Sequence, residues 1–536
     1  MNIATKNRKP ALRSSRPEIV ICLSVIILAF SLVASCSRAK VNFEIVASQK
    51  IVPTLLGKEN NVVLKICINI EENKECILKS LNLSTQGTTN WKDIEKTCIY
   101  YTGQSDIFQD YVLFGNPQSG SAGYNFKAAQ TLKPGNNYFW VAIKLKPEAN
   151  ILNKICFTCT EVKVNDVSVV PAAASVSLRI GHALRDKGDD GSQVYRIPGL
   201  ITTKKGTIVA VYDIRWDNWE DLQQNIDIGV SRSMDKGQTW TPMKKAIDMG
   251  EWGGLPHNQN GIGDPCILED EQTGRLWIAA LWAHGKFETY AGYSSGQGML
   301  PTETCQFILV YSDDDGVTWS DPINATQQVK QPDWHLFLQG PGMGITMKDG
   351  TLVFPAQYRD KDKKSFSTII YSKDRGQTWQ VGTGAHLGTN EAQVVEIEPG
   401  VLMLNMRHVQ ETSRSVSITR DLGKTWEVHQ SSNSALRDPR CMASLIKVDA
   451  SRNKTGKDIL LFSNPNTENG RYNITIKISF DGGLSWLEEN QILLDEGRGA
   501  GYSCLTMIDS ETVGILYEGS VAHLCFQAVP LNEFVK

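Results

Sequence analysis

Short apolar runs, many of them alternating with polar residues, recur along most of the chain. Residues 62–66, 138–143 and 307–311 are examples, and clusters of glycine, asparagine and proline separate such runs. Alternation with a period of two is typical of a β-strand that buries one face. Because apolar residues at helical spacing are scarce, the pattern predicts an all-β protein.

One turn sequence, S/T-x-D-x-G-x-x-W, occurs five times, in copies 47 to 79 residues apart. Its serine and aspartate can accept hydrogen bonds from turn N–H groups, its glycine allows a positive φ, and its tryptophan can pack back between strands. The spacing suits a four-stranded unit with variable loops. These turns resemble the Asp-boxes of certain β-propellers, and we expect them to be architectural. The copies run from Ser233 to Trp240, Ser312 to Trp319, Ser372 to Trp379, Thr419 to Trp426 and Ser479 to Trp486.

The chain divides into two predicted domains. Residues 40–177 carry strand-like runs but no Asp-box, which favours a smaller, sandwich-like β domain. Residues 169–174 are interpreted as the end of that domain or a short linker. Residues 180–536 contain all five boxes and are predicted to form the propeller.

Composition narrows the function classes. The 536 residues are 41% hydrophobic and 21% charged, as in a folded globular protein, and the formal net charge is only -3. No basic stripe is present, so we predict no nucleic-acid partner.

The N-terminus has the features of an export signal. Basic residues precede an apolar run at residues 19–33, which is shorter than the ~20 residues that cross a bilayer. The run ends in Val33-Ala34-Ser35-Cys36, which resembles a bacterial lipobox apart from valine at its first position. We therefore predict a lipoprotein signal peptide at 1–36, lipidation of Cys36, and attachment to the membrane of a bacterial cell envelope. The alternative is an ordinary signal peptide with a cysteine there by chance.

The remaining cysteines give no indication of a metal site. Cys156 and Cys159 form a C-x-x-C pair, but no second pair or histidine cluster lies at zinc spacing. We predict neither a metal nor a cofactor. Five cysteines in apolar, strand-like surroundings are predicted to be buried thiols, namely Cys266, Cys305, Cys441, Cys504 and Cys525.

Charged and phenolic side chains occur in several short segments of the second domain. Together with the Asp-boxes these segments resemble the bacterial exo-sialidase (neuraminidase) family over about residues 180–536. The resemblance implies a six-bladed β-propeller. Since residues 40–177 form an all-β domain attached to a glycosidase, we expect that domain to be an accessory domain that binds carbohydrate. The segments are YRIP at 195–198, DIRWDNWED at 213–221, GDP at 263–265, NEAQVVE at 390–396, LNMR at 404–407, GRYN at 470–473, GYSCL at 501–505 and LYE at 516–518.

The resemblance implies a site for the carboxylate of sialic acid. A planar anion is best held by arginine, which binds it with two parallel hydrogen bonds. The implied triad is Arg196, Arg407 and Arg471, with Arg414 as a competitor of Arg407. Further implied binding residues are Arg215, Asp264 and Glu518, the last of which supports Arg196; a plain Asp-Pro turn and an edge glutamate are the alternatives for Asp264 and Glu518.

The family chemistry uses a tyrosine because a carboxylate nucleophile would be repelled by the substrate carboxylate. The resemblance implies Tyr502 as this nucleophile and Glu391 as the base that takes its proton. Asp221 is the implied acid/base, with Asp217 and Glu220 as rivals in the same loop. A core position is the alternative for Tyr502.

The implied function is hydrolysis of terminal sialic acid with retention of configuration through a tyrosyl-sialoside intermediate. The expected partners are sialylated glycans such as mucins, other glycoproteins and gangliosides. Two alternatives stay open, an intramolecular trans-sialidase and a propeller that binds sialoglycans without turnover.

Overall fold

The computed structural model describes residues 43–71, 76–173, 175–222, 224–284 and 295–535. The predicted signal peptide and its Cys36 lie outside these ranges. Within the described ranges, no helix combines the length and apolar character needed to cross a membrane. The short helices are α1 (Thr326–Val329) and the 3-10 turns Trp91–Asp93, Asp189–Gly191, His257–Gln259, Ala450–Arg452, Glu488–Asn490 and Leu531–Glu533.

The N-terminal domain is a sandwich of two sheets. Its strands are β1 (Phe43–Ser48), β2 (Thr54–Leu56), β3 (Asn61–Ile70), β4 (Cys76–Ser84), β5 (Ile94–Tyr101), β6 (Gly123–Leu132), β7 (Gly135–Leu145), β8 (Lys154–Cys156), β9 (Thr158–Val164), β10 (Val167–Val169) and β11 (Ala172–Ala173). One sheet has the order β11-β1-β3-β7-β5 and the other the order β10-β9-β4-β6. Apolar side chains such as Ile66, Leu81 and Phe139 are fully buried in the core. Because β11 pairs with β1, residues 172–173 end the sandwich and are not a free linker.

The second domain is a β-propeller in which the described residues form six blades. The first three blades contain β13 (Val194–Thr202) to β16 (Lys244–Ile247), β17 (Asn260–Glu269) to β20 (Ile323–Asn324), and β21 (Leu336–Gln339) to β27 (His386–Leu387). Within these blades lie β14 (Ile208–Arg215), β15 (Ile226–Ser233), β18 (Leu276–His284), β19 (Gln306–Ser312), β22 (Gly342–Met343), β23 (Ile345–Thr346), β24 (Leu352–Arg359), β25 (Ser365–Ser372) and β26 (Gln380–Val381).

The last three blades complete the ring. The fourth is β28 (Thr389–Glu398), β29 (Val401–His408), β30 (Ser415–Thr419) and β31 (Glu427–Val428). The fifth is β32 (Ser444–Val448), β33 (Ile459–Pro465), β34 (Ile474–Ser479) and β35 (Gln491–Asp495). The sixth joins β36 (Ser503–Met507), β37 (Thr512–Tyr517) and β38 (Leu524–Pro530) to β12 (Ser177–Arg185). The predicted all-β fold, a six-bladed propeller after a smaller β-sandwich, is therefore confirmed.

Closure of the ring also attaches the sandwich. β12 pairs with β38 on one side, so the two ends of the propeller sequence meet in one blade. The other edge of β12 pairs with β2 and β8 of the sandwich. Arg179 on β12 lies between the domains and donates a hydrogen bond to Glu533 at 3.2 Å, as Lys154 does at 2.7 Å. Backbone pairing and charge pairing therefore join the two domains.

Each Asp-box forms the turn between the third and fourth strands of a blade. In the first copy Ser233 donates to Asp235 at 2.8 Å and accepts from the N–H of Gly237 at 2.8 Å, while Asp235 accepts from the N–H of Thr239. The same three bonds recur in the other four copies. In the sixth blade the third strand is β38 and the outer strand is β12, which come from opposite ends of the propeller sequence. No turn joins them, so the six blades need only five boxes.

The five cysteines expected in the core, Cys266, Cys305, Cys441, Cys504 and Cys525, are all buried. Cys156 and Cys159 are buried as well, but their sulfur atoms have separate neighbours. The sulfur of Cys156 lies 2.8 Å from the hydroxyl of Ser175, and that of Cys159 donates to the carbonyl of Glu161 at 3.8 Å.

Candidate active site

One end of the propeller collects most of the ionisable side chains singled out from the sequence. Inner strands contribute Arg196 and Glu391, and Tyr502 immediately precedes the inner strand β36. Of the second strands, β14 ends at Arg215, β29 contains Arg407 as its second-last residue, and β37 is followed directly by Glu518. Inner and second strands are antiparallel, so the start of one and the end of the other meet at the same end of the ring.

Tyr502 is hydrogen-bonded to a carboxylate and a guanidinium. Its hydroxyl donates to Oε1 of Glu391 at 2.5 Å and accepts from Nη1 of Arg407 at 3.0 Å. Arg407 also donates to the second carboxylate oxygen of Glu391. The three residues therefore form a closed ring of hydrogen bonds, in which the carboxylate is placed to take the phenolic proton.

Burial raises the pKa of Tyr502 well above its usual value, and the charge of Glu391 raises it further, against the opposing charges of Arg407 and Arg471. The resting phenol is therefore protonated. A nucleophilic phenolate can form here only as the proton moves to Glu391, so the pair acts as one unit.

Three arginines surround the Tyr502 ring. The guanidinium carbon of Arg196 lies 5.2 Å from the ring centroid, and that of Arg471 lies 5.4 Å from it. Arg407 contacts the hydroxyl, as described above. Three guanidinium groups converge on one aromatic ring, which is an arrangement suited to an anionic substrate.

Glu518 fixes the position of both Arg196 and Tyr502. It accepts from Nε of Arg196 at 2.9 Å and from the main-chain N–H groups of Ile197 at 2.9 Å and Tyr502 at 3.0 Å. Burial alone would raise the pKa of Glu518, but the charge of Arg196 and these hydrogen bonds hold it below its usual value. The carboxylate therefore stays ionised and partly neutralises the arginine cluster.

A bulge in β13 aims Arg196 into the site. The pairing of β13 with β14 shifts register between Arg196 and Gly199. Ile197 within this bulge has φ +57, which a β-branched residue rarely adopts. This conformation turns the N–H of Ile197 and the side chain of Arg196 toward the carboxylate of Glu518. Placing these two donors is the structural role of the R-I-P sequence.

Asp221 lies on the loop after β14 and is 37% exposed at the side chain. Its Oδ1 is 2.5 Å from Nη1 of Arg215 and 3.6 Å from Nη1 of Arg196. The exposed carboxyl is therefore held at the rim of the arginine cluster, where it can reach a bound molecule. Asp217 and Glu220 are more exposed, and no described contact joins their side chains to this cluster.

Asp213 is a site residue that sequence reasoning did not single out. It is fully buried, accepts from Nε and Nη2 of Arg215 at 3.2 and 2.9 Å, and accepts from the N–H of Asp264 at 2.9 Å. Burial raises its pKa to about 6, although the charge of Arg215 acts in the opposite direction. The sequence contains a signal for this pairing, because Asp213 and Arg215 are two residues apart and therefore share one face of a buried strand.

Asp264 completes a group of carboxyls on this side of the site. Its φ is +58, at a bulge in β17, and its carbonyl accepts from the side chain of Gln339 at 2.5 Å. Burial raises its pKa, and the charges of Asp213, Asp221 and Glu391 raise it further. Because the N–H of Asp264 donates to Asp213 at 2.9 Å, Asp264 lies beside the buried Asp213–Arg215 pair.

Arg414, the competitor of Arg407, and Glu396, in the same motif as Glu391, lie elsewhere. Arg414 is completely buried, and it donates to Asn405 at 2.8 Å and to the carbonyl of Cys441 at 2.8 Å. Glu396 accepts from the N–H groups of Lys348 and Gly400. It lines a cavity of about 930 Å³ at the opposite end of the propeller axis, which no residue of the Tyr502 cluster lines.

One group of metal-ligand type occurs among the described residues, formed by Asp227, Asp248 and His257. The ammonium of Lys245 lies 2.7 Å from Asp227 and 2.8 Å from Asp248. The ammonium thus bridges the two carboxylates, and the group is best described as an ion-pair network.

Comparison with known proteins gives matches over both domains. The family described as the N-terminal domain of BNR-repeat neuraminidase matches residues 42–168, and the BNR repeat-like domain matches residues 197–513, more than half of the chain. A sialidase from Bacteroides fragilis (strain YCH46) is 45% identical over 90% of this chain and 94% of its own length.

Solved structures show the same likeness. A Hadza microbial sialidase matches with a TM-score of 0.87 at 46% identity, over 91% of this chain and 99% of that chain. An intramolecular trans-sialidase from Ruminococcus gnavus matches with a TM-score of 0.56 at 19% identity, over 66% of this chain and 98% of that chain. At that identity the second likeness shows the fold alone.

Proposed function

This chain belongs to the sialidase family, and from that premise we propose that Tyr502, Glu391 and Asp221 carry out its chemistry. The chain is an exo-sialidase, a glycoside hydrolase that releases terminal sialic acid from sialylated glycans. The observation that carries the mechanism is the 2.5 Å hydrogen bond from Tyr502 to Glu391, within a ring of three arginines.

Substrate binding begins with the carboxylate on the anomeric carbon of sialic acid. Arg196, Arg407 and Arg471 bind this carboxylate, and the nearby Tyr502 ring then lies beneath the anomeric carbon. Arg215 and Asp264 bind hydroxyl groups on the other side of the sugar. Since Tyr502 is a neutral phenol at rest, it approaches the anionic substrate without charge repulsion.

Attack and departure are balanced by two proton transfers. The phenolic oxygen of Tyr502 bonds to the anomeric carbon while its proton passes to Glu391. The glycosidic bond breaks as Asp221 donates a proton to the departing oxygen. Water, deprotonated by Asp221, then attacks the anomeric carbon, and the bond to Tyr502 breaks as Glu391 returns the proton. Two inversions give net retention.

A proton NMR time course with sialyl-lactose tests the proposal. The α anomer of free sialic acid should appear before the β anomer. Appearance of the β anomer first would contradict a covalent intermediate. An anhydro-sialic acid would instead identify an intramolecular trans-sialidase, and absence of product would identify a binding propeller.

The cellular location is a separate proposal, which rests on the sequence of the N-terminus. Cleavage before Cys36 and lipidation of its thiol anchor the enzyme to a membrane of the bacterial envelope. Detergent phase partitioning of the natural protein and of Cys36→Ser tests it. The natural protein should enter the detergent phase and the variant should not.

The sandwich domain is proposed to bind carbohydrate and to concentrate the enzyme on glycoproteins such as mucins. Its support is a stretch of exposed apolar side chains at residues 107–113, in which Ile107 is 70% and Tyr111 is 82% exposed. Retention on immobilised asialo-mucin, which the catalytic site does not bind through sialic acid, should weaken in Tyr111→Ala. Equal retention of the two proteins would contradict the proposal.

A further inference from the structure

An exposed tryptophan lies beside the acid/base carboxyl. Trp219 is 53% exposed and precedes Asp221 by two residues. Its carbonyl accepts from Nη1 of Arg215 at 2.8 Å, the same nitrogen that lies 2.5 Å from Asp221. The backbone of Trp219 is therefore fixed to the active site, while much of its indole faces solvent.

The loop around Trp219 is braced by one buried side chain. Gln224 accepts from the N–H groups of Asp217 at 3.1 Å and Asn218 at 2.8 Å, and it donates to the carbonyls of Asn218 at 2.9 Å and Glu220 at 3.0 Å. These bonds hold the backbone on both sides of Trp219. The loop thus presents the indole in a defined position at low conformational cost.

The indole is supported by His523. The two rings meet edge to face, with centroids 5.1 Å apart and planes at 78°. Nδ1 of His523 accepts from the main-chain N–H of Tyr195 at 3.4 Å, and the main-chain N–H of His523 donates to Asp186 at 3.3 Å. Burial lowers the pKa of His523, so the supporting ring is neutral near pH 7. The remaining surface of Trp219 is open.

We infer that Trp219 forms a binding subsite for the leaving sugar, the hexopyranose that precedes sialic acid in the glycan. This inference rests on the proposed function. Asp221 protonates the glycosidic oxygen, so the first ring of the leaving group must lie on its side of the site. One face of a hexopyranose presents C–H groups, which pack on an aromatic ring, and aromatic side chains commonly line such sites.

Two substrates separate this subsite from the catalytic machinery. Sialyl-lactose has a hexopyranose leaving group, whereas α-sialyl fluoride has only a fluoride ion, which cannot reach the indole. Trp219→Ala should lower the ratio of kcat/KM for sialyl-lactose to kcat/KM for sialyl fluoride about tenfold, a loss of about 1.4 kcal/mol. The change should appear mainly as a higher KM for sialyl-lactose.

Two further variants serve as controls. Trp219→Phe keeps an aromatic surface and should retain most of the wild-type ratio. Trp91→Ala removes a tryptophan of similar exposure, 39%, from the sandwich domain and should leave the ratio unchanged.

An unchanged ratio in Trp219→Ala would overturn the inference, whether both rates are normal or both fall together. A lower kcat for sialyl-lactose without a higher KM would overturn it as well, because loss of acid catalysis by Asp221 also lowers the ratio, through kcat and not through binding of the leaving sugar. Failure of the proposed function is distinguishable, because the wild-type enzyme would then turn over neither substrate, and the subsite would fall with it.

Discussion

The phenol of Tyr502 and the carboxylate of Glu391 are joined by a 2.5 Å hydrogen bond across 111 positions of the chain. The bond connects residues at the inner strands of two different blades, so closure of the propeller creates it. Burial raises the pKa of the phenol, which excludes a standing phenolate as the nucleophile. Glu391 must therefore take the proton while Tyr502 attacks, and a change of either residue should remove the nucleophilic activity of the pair.

Tyr502→Phe should lower kcat for sialyl-lactose on the order of a thousandfold or more, because no oxygen is left to attack the anomeric carbon. Sialic acid release measured by a coupled assay checks this. Tyr371→Phe is a matched control, since Tyr371 is also 6% exposed and its hydroxyl donates to Gln380 at 3.0 Å outside the site. Turnover by Tyr502→Phe within a few-fold of the wild type would remove this tyrosine from the mechanism.

Asp221→Asn should lower kcat/KM in a way that depends on the leaving group. A sugar alkoxide needs a proton as it departs, so the loss on sialyl-lactose should be about 10²- to 10⁴-fold. A nitrophenyl sialoside has a more stable leaving anion and should lose much less. Assays of both substrates check this.

The loop offers two controls for that comparison. Asp217→Asn and Glu220→Gln alter the exposed rivals of Asp221, and both should behave as the wild type. If either control reproduces the leaving-group dependence while Asp221→Asn does not, the acid has been assigned to the wrong side chain.

The Asp-boxes show which parts of the fold a sequence can predict. Each box is complete within eight residues, and its hydrogen bonds join Ser233, Asp235 and Gly237 or their counterparts within one turn. Such local geometry follows from local residues. The predicted likeness to sialidases is confirmed by a relative and by a family match. The prediction was possible because several local motifs occur together in one order.

The pairings that close the molecule depend on distant residues. Nothing near β12 indicates that its edge would take β2 and β8 of the sandwich as partners. Arg407 and Arg414 likewise both flank predicted strands, and Arg414 is distinguished by its buried contact with the carbonyl of Cys441, which lies 27 residues away. Which arginine enters the site and which strands pair at an edge depend on three-dimensional packing, and the alternation of residues along one strand does not show it.

Asp213 is predicted to position Arg215 and Asp264. Asp213→Asn puts an amide N–H₂ where two donors need an acceptor, so kcat/KM should fall about tenfold to a hundredfold. The pH profile adds a second readout, because burial raises the pKa of Asp213 to about 6. The ionised form holds Arg215, so this residue contributes fully above that pH, and its contribution is lost as the pH falls through about 6.

In Asp213→Asn, the fall in kcat/KM that protonation of Asp213 causes near pH 6 should be absent. Asp227→Asn is the matched control, since Asp227 is buried and paired with Lys245 at 2.7 Å but lies outside the Tyr502 cluster. The assignment is wrong if Asp213→Asn keeps the full acid limb, or if the control flattens it equally.

Gly237→Ala is predicted to destabilise the protein more than Gly206→Ala. Both glycines have a positive φ, +88 and +82, so each substitution places an L residue in a strained conformation, at a cost of about 1 kcal/mol. A Cβ on Gly237 would lie 2.2 Å from the Phe526 ring on β38, whereas one on Gly206 meets nothing within 4 Å. Overpacking adds about 1–3 kcal/mol at Gly237 alone, and a lower Tm in thermal unfolding should show it. Because Phe526 belongs to the blade that closes the ring, equal Tm values for the two variants would mean that the first Asp-box does not support closure.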